Sequence, residues 1–109
     1  MKVCQLPEML DLTTHVLTNA DKQISGVYAG DLLSWVMGHA EEGNILVTIM
    51  SNINVLAVAS LLDLSCVILS EGVKPDNEFL MLAKEKEINI FSSELDTYTV
   101  CTKLYEVLK

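Results

Sequence analysis

The residues best placed to do chemistry form a polar junction, Ser51–Asn52–Ile53–Asn54. It lies between Ile45–Met50, β-branched or apolar apart from Thr48, and the apolar stretch Val55–Leu62. Hydroxyl and amide side chains at such a spot either cap the start of a helix or hold the polar groups of a ligand beside its amino terminus. Turns of related composition follow at Ser70–Gly72 and Ser92–Ser93, and Gly26–Asp31 lies upstream. If the strands run parallel, Thr48–Asn54, Ser70–Gly72 and Ser92–Ser93 share the carboxyl edge of one sheet, where α/β proteins collect ligands, with Gly26–Asp31 approaching it. The candidate ligand set is therefore Ser25, Gly26, Gly30, Asp31, Ser51, Asn52, Asn54 and Gly72. The plain alternative is that Ser51 and Asn52 only cap the helix and Gly72 only supplies a turn.

No catalytic set stands out beside this junction. The glycines at 26, 30, 38, 43 and 72 never form a G-x-x-x-x-G-K-[ST] phosphate cradle. His15 and His39 have no partner at metal-ligand spacing, and His39 suits a helix carboxyl terminus. Glu41–Glu42 reads as a solvated turn rather than an acid/base pair. Cys4, Cys66 and Cys101 are far apart, odd in number and set among apolar neighbours, as structural thiols are in a reduced compartment. The expectation is no enzyme, no metal and no cofactor.

Charge excludes a further class. The chain carries 15 acidic and 7 basic residues, a net charge of −8, and every basic residue is lysine. Without arginine or a basic patch, nucleic acid is not an expected partner. No apolar run reaches the ~18–20 residues of a membrane span, and MKVCQLPEML lacks the apolar core of a secretory signal, so a cytoplasmic location is expected.

The elements that must position the junction follow from periodicity. A short strand is expected at Lys2–Leu6, a helical turn at Pro7–Leu12, and strands at Thr13–Thr18 and Gln23–Ala29. A helix at Leu32–Ala40 would have Asp31 at its cap or in its first turn, and a glycine turn at Glu41–Asn44 would end it. Three strand–helix units then succeed one another: Ile45–Met50 with Asn52–Leu62, Ser65–Leu69 with a helix from Pro75 to Glu87, and Ile88–Ser92 with Thr97–Leu108. That rhythm predicts a layered α/β fold with a mostly parallel sheet, residues 1–109 making one domain.

The stretch from Asp21 to Pro75, with the alanine-bearing helix and Ile88–Ser93 that follow, resembles the DRTGG domain family. Asp21–Lys22–Gln23–Ile24–Ser25–Gly26–Val27 lies where the naming motif belongs, with Lys22 in place of arginine and Val27 in place of the second glycine. Gly30-Asp31-Leu32-Leu33, Asn54 before Ala57-Val58-Ala59, and Gly72 before Lys74-Pro75 follow the family pattern more closely. The resemblance implies a fold similar to the N-terminal domain of HPr kinase/phosphorylase and a regulatory or subunit-contact role without catalysis.

Val55–Leu62 carries the remaining expectation. A helix apolar on all sides needs cover on both. The sheet covers one, and either a second subunit or the N-terminal segment covers the other. With a second subunit, Val55, Ala59 and Leu62 are the expected homodimer contacts. The functional expectation is a regulatory or protein-interaction module acting as a homodimer, with an unidentified partner protein. The alternative is a sensor binding a nucleotide or phosphorylated metabolite at the carboxyl ends of the strands.

Overall fold

The computed structural model describes residues 1–109. Five strands form one sheet in the order β1-β5-β4-β3-β2, from β1 (Thr13–Val16), β2 (Gly26–Ala29), β3 (Asn44–Thr48), β4 (Cys66–Leu69) and β5 (Ile90–Ser92). All neighbours pair in parallel except β1, which runs antiparallel to β5 with a register shift between Thr14 and Val16. The helices are α1 (Leu6–Met9), α2 (Leu33–His39), α3 (Ile53–Leu62), α4 (Asn77–Glu85) and α5 (Thr97–Leu108).

From β2 to β5 each strand steps one place in the same direction. Right-handed crossovers therefore put α2, α3 and α4 on one face of the sheet. That face is a core of Val36, Val55, Leu56, Val58, Phe79 and Ala83 against Leu46, Val67, Leu69 and Ile90. The other face packs Val3, Leu6, Leu10, Val100 and Leu104 against Ile45, Val47, Cys66, Ile68 and Phe91. Alternate residues of β3 and β4 divide between the two cores, which is why both strands are apolar without a break.

Several boundaries differ from the sequence reading. Lys2–Leu6 is not a strand: Lys2 makes a single antiparallel bridge to Gln23, Val3–Gln5 is a 3-10 turn, and α1 starts at Leu6. Pro75 precedes α4, whose cap is Asp76 accepting from Phe79 N at 2.9 Å. The buried N-terminal segment covers the α5 face of the sheet and does not reach α3.

Candidate functional site: the carboxyl edge and the outer face of the helix layer

Gly30 and Asp31 follow β2, and Ser51–Asn54 follow β3, so these candidates do meet at the carboxyl edge. Asp31 does not cap α2; Leu32 holds that position and provides no side-chain cap. The Asp31 carboxylate reaches across to β3, where Oδ1 accepts from Thr48 Oγ1 at 2.8 Å and from Ile49 N at 2.9 Å. Thr48 Oγ1 accepts in turn from Met50 N at 3.1 Å. The amides nearest the end of β3 are thus held by a carboxylate and a hydroxyl of the chain itself. Asn52 caps α3, accepting from Asn54 N at 2.9 Å, so its side chain is engaged as the plain alternative expected. No cavity opens at Ser51–Asn54.

Between β4 and β5 the following helices leave for opposite faces of the sheet, which makes the topological switch point of this fold. The crevice there is closed by local contacts. Glu71 N donates to Leu95 O at 2.7 Å and Gly72 N to Ser93 O at 2.9 Å, strapping the two loops together. Ser70 Oγ and Thr97 Oγ1 lie 2.7 Å apart, and Glu71 Oε2 accepts from Thr97 N at 2.8 Å, at the amino terminus of α5. Asp96 accepts from Thr99 N and Thr99 Oγ1, which holds its carboxyl below the usual range. Two carboxylates therefore occupy the place where a helix amino terminus would greet an anion. Gly72 has φ +73°, a left-handed conformation that favours glycine at this point of the strap. Ser70–Gly72 were placed on this edge from sequence, but Thr97 was not, because nothing local shows that residues 26 apart share a crevice.

Ser25 and Gly26 belong to the opposite end of the sheet. Gly26 begins β2 beside Asn44, at the amino edge, away from Ser51, Asn52 and Gly72. Their expected approach to the carboxyl edge is therefore incorrect: the direction of β2 separates Gly26 from Asp31 by the length of the strand. Ser25 Oγ donates to Glu42 O at 2.6 Å and accepts from Asn44 Nδ2 at 3.1 Å. Lys22 pairs with Asp63, the left-handed residue that ends α3. Gly43, at φ +82°, leaves room for Ser25 Oγ, which would lie 2.8 Å from any Cβ there. The stretch at the motif position thus ties β2, the turn before β3 and the end of α3 together.

The outer side of α3 does not carry the residues expected to meet a second subunit. Val55 and Ala59 are buried against the sheet and its helix layer, and Leu62 is half-buried against the same core. Val55 and Ala59 cannot meet a second subunit while the chain is folded. The outer side carries Ile53 (43% exposed), Ala57, Ser60 and Leu61 (69% exposed). In the same layer α2 and its approach expose Leu32, Met37 and Trp35, whose ring stacks on His39 with centroids 4.1 Å apart. His39 Nδ1 lies 2.8 Å from Trp35 O, in the last turn of α2. Residues 32–40 and 44–62 contain no charged side chain, while Asp31, Glu41, Glu42 and Asp63 border them.

The remaining reactive groups have structural partners. His15 Nε2 lies 2.8 Å from Ser92 Oγ, joining β1 to β5, and burial together with the nearby Lys74 ammonium lowers its pKa. Burial pushes the Cys66 thiol up to about 12 and raises Cys101 as well. No three His, Cys, Asp or Glu side chains gather as a metal site requires.

Fold and edge together define a parallel-sheet α/β module whose strand ends are strapped by its own side chains. The chain belongs to the DRTGG domain family, whose model matches residues 11–107. No curated protein matches it in sequence. Among solved structures it is similar to the CBS and DRTGG domains of the regulatory region of Clostridium perfringens pyrophosphatase, complexed with the activator diadenosine tetraphosphate. The TM-score is 0.70 at 17% identity, over 89% of this chain and 43% of that one. At that identity the likeness is one of fold, and this chain spans less than half the length of its neighbour.

Proposed function

We propose that residues 1–109 form one regulatory module that works by protein contact and not by catalysis, pairing as a homodimer through the outer face of α2 and α3. The carrying observation is the uncharged apolar face of Leu32, Trp35, Ile53 and Leu61 on a chain of net charge −8. An apolar centre with a charged border is how interfaces are commonly built, and scattered single exposures would not fall on adjacent helices. Three free thiols suit the cytoplasm. Sedimentation velocity at micromolar concentration tests the pairing: a dimer is expected, and Ile53→Asp with Leu61→Asp should return it to monomer. A wild-type chain that stays monomeric at 100 μM would remove the homodimer.

A nucleotide-sensing reading is favoured by one observation, the activator held in the pyrophosphatase regulatory region. Against it, the amides closest to the strand ends here already have carboxylate, hydroxyl or carbonyl partners. Thermal unfolding with diadenosine tetraphosphate and with adenine mononucleotides separates the readings. A ligand at 100 times its Kd adds about 2.7 kcal/mol. No shift is expected, and a shift lost in Asn54→Ala would establish the sensor instead.

A further inference from the structure

The helix layer is not the only uncovered surface. β2 ends the sheet, paired only with β3, and Gly26–Ala29 has neither proline, charge nor bulge to protect its free edge. On the α5 face a groove of about 430 Å³ runs between this strand and the helix, lined by Gly26, Val27, Ala29, Cys101, Tyr105 and Leu108, with Lys109 its one charged lining residue.

The chain itself shows how this edge accepts a strand. Ser25 N donates to Gly43 O, towards β3, while Ile24 N donates to Met1 O on the outer side. Lys2 bridges Gln23 antiparallel on that same outer side. An extended segment is therefore already seated just upstream of β2, on the same side as its free edge. Just past β2, Gly30 N donates to Val47 O, so by alternation Gly26 and Tyr28 face β3 and the N–H groups of Val27 and Ala29 point outward.

We propose that an extended segment of a partner protein adds to β2 as an antiparallel strand, with apolar side chains at every second position and a carboxylate at its carboxyl-terminal end. Backbone hydrogen bonds to Val27 and Ala29 hold the segment, and its groove-facing side chains fill the space between Val27, Ala29, Tyr105 and Leu108. α5 starts at the carboxyl edge, where Thr97 meets Ser70, and ends at Lys109, beside Gly26. An antiparallel segment therefore brings its carboxyl-terminal end to Lys109. The Lys109 ammonium lies 3.2 Å from Glu106, with which the incoming carboxylate competes. A second copy of this chain fits less well, because its β2 brings Val27 and Ala29 and no carboxylate.

Fluorescence anisotropy with a labelled heptapeptide, valine at alternate positions and a free C-terminal glutamate, tests the proposal on the full chain. Saturable binding is expected. Val27→Asp, or Tyr105→Ala on the opposite wall if the first variant unfolds, should weaken it by about tenfold, as should N-methylation of alternate peptide amides. Lys109→Glu should weaken the glutamate-ended peptide while strengthening a lysine-ended one. Absence of saturation at millimolar peptide, or undiminished binding of the N-methylated peptide, would overturn strand addition. Self-association lost in Val27→Asp but kept in Ile53→Asp would assign the edge to a second copy.

Discussion

The inner side of α3 carries Val55, Leu56, Val58 and Ala59, and the outer side carries Ile53, Ala57, Ser60 and Leu61. Aliphatic residues lie on both sides, with Asn54 and Ser60 added on the outer one, yet one side is sealed against the sheet and the other meets solvent. Composition alone does not separate a core from an interface; geometry does. α3 is held between α2 and α4 with its ends pinned by Asn52 at the start and by the left-handed Asp63, paired to Lys22, at the finish. Its rotation about its own axis follows from those anchors and from which side chains fit between Leu46 and Val67.

The sharpest way to break the comparison is to truncate one residue on each side. Leu56→Ala should cost about 2–5 kcal/mol, because Leu56 is fully buried and its neighbours cannot collapse completely into the space. Leu61→Ala, on the outer side, should stay within about 0.5 kcal/mol in a dilute monomer, measured by urea unfolding. A cost above about 2 kcal/mol for Leu61→Ala would mean that the outer side belongs to the core.

The anchors come next in size. Asn52→Ala removes the acceptor for Asn54 N and should cost about 1 kcal/mol, with Asn52→Asp retaining most of the stability. If the proposed pairing is right, added salt should strengthen it. Asp31, Glu41, Glu42 and Asp63 border the face and would bring like charges together, which screening relieves. Weaker association at 0.5 M than at 0.05 M sodium chloride would point instead to a basic partner.

The smallest effect is a pH dependence that should leave the two sides of α3 unequal in nothing. His15 has a folded pKa below its ordinary 6.5, so the unfolded chain binds its proton first as the pH falls. The stability it contributes is complete above about pH 6.5 and declines below that value towards the folded pKa. His15→Gln should flatten the unfolding midpoint over pH 5–7. An unchanged slope would place the linked proton elsewhere.

Much of the fold was legible because its signals are local. Unbroken apolar runs at Ile45–Val47 and Cys66–Leu69 declare strands covered on both faces, and polar residues at Asn52 and Asp96 mark helix starts, whereas Pro75 drew attention from the true cap at Asp76. The site was legible only where its residues follow their own strands, as Asp31, Ser51 and Asn52 do. Ser25 and Gly26 were misplaced because a four-residue strand lies between them and Asp31. Thr97 and its contact with Glu71 were missed because their hydrogen bond spans 26 positions.

By itself, then, the sequence determined the element types, the parallel rhythm, the absence of a phosphate cradle and the family to which the chain belongs. Periodicity, turn chemistry and motif order are properties of neighbouring residues and need no partner to be read. Tertiary structure decided which side of α3 faces out, that carboxylates close the switch point, and that β2 is left as an open edge. Each of those depends on strand order and helix rotation, which are fixed by contacts between residues far apart in the chain.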